Sequence, residues 1–504
     1  RFVSGSTPPE FSAMNGIGDR TRALVRRVRE IMRINPAPEV TTQNKAGQAP
    51  DTRQPQPEGA GTGIVPPRPA PYSAYGDCVV EKVIRHLIPF ILILYIVNYI
   101  DRVNLGFAAL TMNPDLGITP VIFGLVSGIF FIGYVFFEYP SNRMMERVGA
   151  KLWIPRILLS WGLVVVLLSL ARSAFDVGAL RLLLGIAEAG FYPGIIFYLS
   201  LWLRSRDLAR CMSYMYAAQI VALIIGTPVS TFILDNISWM DLASWRWLFI
   251  LEGIPAILLS IVAYYYLTNR PEDATWLKAD EREWLVKTVA AERESGGVPG
   301  KKGLGYFFGQ LWFHRLWIAF FLEMSAGYAI VFWLPQIVHS FQFNSSHTIT
   351  DCLSVVPYVG ALICMLLWAR HSDKTGERKY HMIIPWILAA VGFFGDACTK
   401  DPVIALAFLT LATIGLFSGV PVFWAAVTQR MSRIDASGGI ALVNALGTLG
   451  GFVGPFLMGI FIAGSGEMNG ALALVTFGGF MVLSVLLLLW EFRDPAKGKT
   501  GELI

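Results

Sequence analysis

Long apolar runs dominate the chain from residue 87 onward. The first covers 87–110, and eleven more of similar length follow it, the last at 470–490. A helix needs roughly 20 apolar residues to cross the hydrocarbon core of a bilayer. Each run is therefore long enough to span a membrane once. The pattern predicts an all-α membrane protein with twelve transmembrane helices.

Two polar segments divide this pattern. Residues 1–80 are rich in Pro, Gly, Gln and Thr and include a basic stretch, so they are predicted to form a disordered, basic extension. A second polar segment separates six apolar runs from the next six. The predicted organisation is a six-helix bundle at 81–268, a cytoplasmic linker at 269–312, a second six-helix bundle at 313–493 and a tail at 494–504.

Composition supports a membrane protein and excludes several other classes. Of the 504 residues, 54% are hydrophobic and 15% are charged, against ~25% charged in soluble domains. The net charge of +5 is too small for a nucleic-acid binder. The five cysteines show no C-x-x-C spacing, and the chain has neither a zinc motif nor a phosphate-binding loop. We expect no enzyme activity, no metal, no nucleic-acid partner and a monomer in contact with lipid.

Basic residues are concentrated in alternate loops. One set of short loops holds twelve Lys and Arg residues, and the other set holds only Arg172, Arg246 and Lys400. The positive-inside rule makes the first set cytoplasmic. An even number of spans then places both termini in the cytoplasm, and we expect the plasma membrane.

A loop motif occurs once in each half. The segment 142–151 follows the second run and the segment 369–378 follows the eighth, and both read acidic, basic, any residue, Gly. Internal duplication is common in transporters. We interpret the two copies as gating loops with these residues: Glu146, Arg147, Gly149, Asp373, Lys374 and Gly376.

Four charged residues lie inside the apolar runs. Asp101 and Arg102 are in the first run, and Arg181 and Glu188 are in the fourth. Each costs about 2.5–3.5 kcal/mol at the centre of a membrane helix on insertion scales. Two acids and two bases cancel formally, so we expect a paired network around one shared cavity. The alternative is a static set of ion pairs that locks the bundle, although buried pairs are weak evidence for stability.

The acids and the arginines among these four residues are suited to different roles. A carboxyl group in an apolar cavity can take or release a proton as its partners change, so Asp101 and Glu188 are candidate proton-coupling residues. A guanidinium stays charged and can hold a carboxylate with two hydrogen bonds. Arg102 or Arg181 could therefore bind an organic anion. Further polar residues of the runs are candidates for lining the same cavity: Asn98, Tyr99, Tyr134, Gln219, Tyr328, Trp424 and Asn444.

The sequence resembles the major facilitator superfamily, and within it the anion:cation symporter family. The repeated loop motif carries the wider resemblance, with Glu146 in place of the usual Asp and with Asn142 and Ala369 in place of the leading Gly. The narrower resemblance covers about 85–493 and rests on four segments: 98–104, 181–194, 245–255 and 444–455. It is similar especially to bacterial permeases for sugar acids such as galactonate, and for tartrate or phthalate.

This resemblance implies proton-coupled uptake of a small organic anion by alternating access between two six-helix bundles. It implies that Asp101, Arg102, Arg181 and Glu188 are the coupling and binding residues, with the proton as the only coupling ion. It also places Tyr99, Tyr134, Gln219, Trp424 and Asn444 at pocket-lining positions.

Two other functions stay open on the sequence. A drug/proton antiporter could use the same fold, but its fifth helix would carry a richer Gly-Pro signature than Gly226-Thr-Pro228. A receptor with a transporter-like body would not transport at all, and the intact set of intramembrane charges argues against it.

Overall fold

A computed structural model describes residues 74–295, 304–341, 352–431, 436–466 and 470–493. Within these ranges all regular secondary structure is helical. Among the described residues, twelve helical spans are long and apolar enough to cross a membrane. The twelve-span prediction is confirmed. The predicted disordered segment up to residue 73 and the predicted tail at 494–504 lie outside the described residues.

The first half of the protein contains six spans, of which the fourth is interrupted. In chain order they are α1 (Ala74–Leu116), α2 (Pro120–Val148), α3 (Ala150–Leu168), α4 (Ala174–Glu188) with α5 (Phe191–Ser200), α6 (Ser205–Asn236) and α7 (Ser244–Tyr266). Two short helices follow, α8 (Ala279–Ser295) and α9 (Leu304–Phe308).

The second half repeats this order, and its fifth span is the interrupted one. The spans are α10 (Leu311–Ser340), α11 (Val355–Thr375), α12 (Lys379–Ala397), α13 (Pro402–Met431), α14 (Ala436–Thr448) with α15 (Gly450–Ser465) and α16 (Ala471–Glu491).

The helices pack as two six-helix bundles. In the first, α1 packs on α6 and α7, α2 on α4, and α3 on α7. In the second, α12 packs on α13 and α16, α10 on α15 and α16, and α11 on α13. The bundles meet along three helix pairs: α1 with α10, α2 with α15, and α6 with α11.

Glycines allow the bundles to approach closely near the turn between α1 and α2. A Cβ atom on Gly124 would overlap the carbonyl oxygen of Pro455, and one on Gly459 would overlap that of Pro120. A Cβ on Gly106 would lie 2.9 Å from the carbonyl oxygen of Phe332. Small residues permit such backbone contacts between membrane helices. The bundles are therefore in tight contact on the face that carries the α1–α2 turn.

Helix α1 is longer than the sequence predicts. Its 43 residues give a length of about 64 Å, twice the ~30 Å thickness of the hydrocarbon core. Residues 74–80 therefore belong to this helix, which corrects the predicted boundary after residue 80. The extra turns are held by α8, because Tyr75 donates a hydrogen bond of 2.9 Å to Asp280 and Lys82 lies 2.6 Å from Glu281.

The fourth span breaks directly after Glu188. Helix α4 ends there, and Gly190 adopts a left-handed conformation with φ of 82° before α5 begins. A Cβ at Gly190 would lie 2.5 Å from Ser141 Oγ, so both the backbone angle and the space require glycine. The break places the Glu188 carboxyl group at a helix end in the interior of the first bundle.

Candidate functional site

A cavity of about 110 Å³ lies between the two bundles. Among the described lining residues, the first bundle contributes mainly tyrosines and one cation, and the second contributes mainly apolar side chains. The polar residues that line it are Tyr95, Tyr99, Arg102, Tyr134, Tyr192, Tyr216, Gln219, Glu323, Tyr328, Trp424, Asn444 and Thr448.

Arg102 is the cation of the cavity wall. Its Nη2 atom lies 3.2 Å from Glu188 Oε1, and only 10% of the Arg102 side chain and 2% of the Glu188 side chain are exposed. Asn98 donates a second hydrogen bond to the same oxygen of Glu188. The guanidinium also lies over the rings of Phe130 and Tyr134, at 5.2 and 5.1 Å. Arg102 thus lines the cavity, and Glu188 forms an ion pair with Arg102 on the side away from the cavity.

Arg181 is completely buried beneath this pair. Its Nη atoms lie 3.4 Å from the backbone carbonyl oxygen of Arg102. Its guanidinium lies 5.1 Å from the ring centroid of Phe130 and 5.5 Å from that of Phe332. Within the described residues no carboxylate lies within salt-bridge distance of it. Since Phe332 belongs to α10, Arg181 contacts both bundles through aromatic faces.

Asp101 lies on a different side of α1 from Arg102. Its Oδ2 atom accepts a hydrogen bond of 2.9 Å from Trp161 on α3, and 2% of the residue is exposed. Its other oxygen has no hydrogen-bond partner within the described residues. A second buried acid of the same bundle, Glu252 on α7, accepts a hydrogen bond of 2.7 Å from Ser230. Asp101 therefore sits in the interior of the first bundle and not in the cavity wall.

Of the remaining predicted lining residues, all but Asn98 line the cavity. On one wall, Gln219 donates a hydrogen bond of 2.7 Å to the hydroxyl of Tyr99. On the other, Trp424 packs edge-on against Phe320 with ring centroids 5.0 Å apart. Asn444 lies 3.5 Å from Glu138 of α2, so this contact joins the two bundles.

Aromatic rings close the cavity towards the α1–α2 turn. Phe131 packs against Tyr328 with ring centroids 4.4 Å apart, and Phe123 packs against Trp333 at 4.9 Å. Each of these pairs joins α2 of the first bundle to α10 of the second. The aromatic contacts reinforce the glycine contacts on that face.

The first loop motif turns on Gly149. Its φ of 89° and ψ of 154° suit glycine alone, and a Cβ there would lie 2.5 Å from Asn269 Oδ1. The same oxygen accepts a hydrogen bond of 2.9 Å from the backbone N–H of Lys151. Glu146 is exposed and pairs at 2.7 Å with Arg143, while Arg147 is exposed.

The second loop motif turns on Gly376, which ends α11 with φ of 69°. Here Asp373 forms a salt bridge of 2.7 Å with Arg378, which follows it in the chain, and Lys374 is exposed. A Cβ on Gly376 would meet nothing within 4 Å. The two copies thus share the glycine turn but differ in what surrounds it.

A hydrogen-bonded chain of side chains adjoins the second motif. His371 and His381 are joined by 2.7 Å between ring nitrogens, and His381 lies 2.6 Å from Glu377. Partial burial alone would raise the pKa of the Glu377 carboxyl. Hydrogen bonds from the N–H groups of Tyr380 and His381 and from the His381 ring outweigh burial and hold that pKa below its ordinary value.

The structure therefore divides the predicted site residues into two groups. Tyr99, Arg102, Tyr134, Gln219, Trp424 and Asn444 line one cavity. Glu188 contacts that cavity only through Arg102, and Arg181 and Asp101 lie deeper in the first bundle. A single paired network of four charges is expected from the sequence. The structure instead has one ion pair, Arg102 with Glu188, and two charged residues near it, Arg181 and Asp101, that have no ion-pair partner among the described residues.

Sequence reasoning did not single out Glu323. This carboxyl group of α10 lines the cavity and is 3% exposed. The signal was present, because Glu323 is an ionisable residue inside the apolar run at 313–339. It was missed because it has no neighbouring charge in the sequence.

Comparison with known proteins identifies the family. The Major Facilitator Superfamily profile matches residues 91–350 and 338–503. The chain belongs to the major facilitator superfamily. A putative tartrate transporter of Agrobacterium vitis is 41% identical over 82% of this chain and 94% of the relative. A quinolone resistance transporter of Acinetobacter baumannii is 33% identical over 78% of this chain and 91% of the relative.

The fold of this superfamily member also matches a solved transporter. The xylose transporter XylE of E. coli, in a partially occluded inward-open conformation, superimposes with a TM-score of 0.64. The match has 16% sequence identity and covers 83% of this chain and all of XylE. The chain is thus a multi-pass membrane transporter of major facilitator type and not an enzyme.

Proposed function

We propose that this protein is a proton-coupled symporter that imports a small organic anion by alternating access. The cargo class is a carboxylate such as a sugar acid, tartrate or an aromatic acid. The observation that carries the proposal is the buried ion pair of Arg102 and Glu188 at the wall of the central cavity. The proposed location is the plasma membrane, with both termini in the cytoplasm.

The ion pair couples the anion to the proton by competition. Arg102 faces the cavity, and a guanidinium binds a carboxylate with two parallel hydrogen bonds. A bound anion would therefore displace Glu188 from Arg102. Burying a carboxylate without its cation costs a large amount of free energy, so Glu188 takes up a proton and becomes neutral. Anion and proton then load together, without a net change of buried charge.

Asp101 is the proposed second proton-coupling residue. Its charge is compensated by a single N–H donor, from Trp161, and no cation lies within salt-bridge distance among the described residues. Asp101 contacts α3 and not the cavity. It would exchange its proton when α1 moves relative to α3, and not when the anion binds.

The glycine and aromatic contacts define the step that must follow loading. They hold α2 against α10 and α15 on the α1–α2 face. Alternating access requires these contacts to separate while the opposite ends of the bundles come together. The gating motifs at Gly149 and Gly376 lie on that opposite face, where we propose that they control closure.

A drug exporter is the second candidate, favoured by the relative named for quinolone resistance. The cavity argues against a purely cationic drug, because among its described lining residues Arg102 is the one basic side chain and it is oriented towards the cavity. A quinolone carries a carboxylate that Arg102 could bind, so it is included as a test substrate in the transport assay below.

Transport by purified protein in proteoliposomes tests the proposal. With an acidic exterior and an alkaline lumen, tartrate, galactonate or phthalate should accumulate above equilibrium, and a protonophore should abolish the accumulation. If none of the three accumulates and a quinolone is instead driven into acid-loaded vesicles against its gradient as protons leave, the chain is a drug/proton antiporter and the symport proposal is wrong.

A further inference from the structure

Glu323 is an acidic group that the proposed coupling mechanism does not use. It lies on α10 in the second bundle, lines the central cavity and is 3% exposed. Its Oε2 atom has no hydrogen-bond partner within the described residues, and no cation lies within salt-bridge distance there. A buried polar side chain that points into a cavity without a partner is available to a ligand.

The two bundles give the cavity two different polar ends. Arg102 is the cation on the wall of the first bundle, and Glu323 is the only carboxyl group among the lining residues that the structure describes. The second bundle otherwise contributes largely apolar side chains, of which Met324, Val331, Leu416 and Val420 are examples. A ligand that spans the cavity therefore meets a guanidinium on one wall and a carboxyl group on the other.

The surroundings of Glu323 determine what it can bind. An isolated carboxylate in apolar surroundings is so unfavourable that the group is held as the neutral acid. A protonated carboxyl group has one O–H donor and keeps acceptor capacity. It can therefore hydrogen-bond to a hydroxyl or to a second carboxylate of the ligand without repelling an anion.

We propose that Glu323 binds the far polar group of a bifunctional organic anion whose first carboxylate is held by Arg102. This inference rests on the proposed function and names the substrate class within it. The class comprises hydroxy acids and dicarboxylic acids with polar groups at both ends. Monocarboxylates with an apolar tail leave the Glu323 carboxyl unpaired, so the cavity discriminates against them.

Two four-carbon acids test this proposal on the full-length protein in detergent. Tartrate has polar groups along its whole length, and butyrate has a carboxylate and an apolar tail. Affinities for both are measured by calorimetry in the wild type, Glu323→Gln, Glu323→Leu and Glu323→Met. Glu323→Gln keeps a donor and an acceptor, whereas the Leu and Met variants remove both and retain side-chain volume.

The expected result is a change in selectivity. Glu323→Leu and Glu323→Met should weaken tartrate binding about 10-fold or more, as for a lost hydrogen bond to a charged group, and should leave butyrate within about 2-fold. Glu323→Gln should keep most of the tartrate affinity. Equal losses for both acids, or unchanged tartrate affinity in the Leu and Met variants, would overturn the role of Glu323.

Failure of the underlying function would look different from failure of this inference. If the wild type binds neither acid, the organic-anion proposal itself is wrong. If the wild type binds tartrate and the selectivity does not depend on residue 323, only the present inference is wrong. The Met variant keeps the test informative if the Leu variant does not fold, since an unbranched side chain fits irregular space more easily.

Discussion

The two walls of the central cavity differ in how they carry charge. In the first bundle, three of the four predicted charged residues of α1 and α4 lie together, with Arg102 paired to Glu188 and Arg181 directly beneath, while Asp101 turns to Trp161. In the second bundle the buried acids are dispersed. Glu323 faces the cavity, Asp396 is buried in α12, and Glu491 pairs with Arg315 and Arg430 at the end of α16.

Under the proposed function, this difference gives the two bundles separate tasks. A buried ion pair can exchange partners, so the first bundle has the means to couple a proton to an anion. An apolar wall with one acid can only accept or reject a ligand by shape and hydrogen bonding. The repeated fold thus supports coupling in one half and selection in the other, and the following substitutions test that division.

Replacing Glu188 should have the largest effect. Glu188→Gln keeps the size of the side chain and cannot release a proton, so proton-driven accumulation of the anion should be abolished while exchange of anion across the membrane persists. Uptake and counterflow in proteoliposomes measure the two activities. The matched control is Asp396→Asn, a buried acid of the second bundle away from the cavity, which should accumulate substrate like the wild type. Wild-type accumulation by Glu188→Gln would refute its coupling role.

Replacing Arg102 should weaken binding itself. Arg102→Ala removes the cation of the cavity wall and leaves Glu188 buried without it, a change that costs about 3–5 kcal/mol for buried pairs. We expect anion affinity to fall at least 10-fold, with Arg102→Lys intermediate because it keeps the charge and loses the planar fork. The control is Arg156→Ala, an exposed arginine of α3. Unchanged affinity in Arg102→Ala would move the binding role to Arg181 or to another residue.

Alanine at the close-contact glycines should distinguish packing within a bundle from packing between bundles. A Cβ on Gly185 or Gly454 would overlap a carbonyl oxygen of the same bundle, of Phe130 or Ser325. Overpacking there should destabilise the protein by about 1–3 kcal/mol, seen as a lower melting temperature. Gly124→Ala and Gly459→Ala act between the bundles. They should instead make a cysteine introduced into the cavity wall, Thr448→Cys, reactive to thiol reagents from the α1–α2 face with little change in melting temperature, and equal destabilisation by all four would contradict this.

The turns at Gly149 and Gly376 should respond unequally to the same substitution. Gly376→Asn places a residue that tolerates the left-handed region in open space, so it should cost well under ~1 kcal/mol. Gly149→Asn meets Asn269 as well as a backbone conformation almost exclusive to glycine, and it should cost about 1–3 kcal/mol. Thermal unfolding of the two variants measures the difference. Equal losses of stability would show that the turns have equivalent surroundings.

The sequence predicted the spans well because membrane insertion is decided by local hydrophobicity. Each apolar run is helical in the structure, although the fourth and the eleventh are each divided into two helices. Six predicted binding residues line one cavity because they are polar residues on helices that face the other bundle. Features that depend on packing between helices were not predictable. Asp101 turns to Trp161 of α3, and α1 continues to Ala74 because α8 lies beside it.

The break after Glu188 and the role of Glu323 show two different limits. Gly190 was visible in the sequence, but its left-handed conformation depends on the space beside Ser141. Glu323 could have been found from its position in an apolar run alone. What sequence could not show is that it lies in the wall opposite Arg102.

The most direct test of the account is the proton taken up when the anion binds. Calorimetric titration of tartrate into the purified protein at neutral pH, in buffers with different ionisation enthalpies, reports the number of protons bound with each anion. If a bound anion displaces Glu188 from Arg102, the wild type takes up protons on binding and Glu188→Gln takes up none. Binding without proton uptake by the wild type, or the same uptake by Glu188→Gln, would contradict the exchange of partners at Arg102.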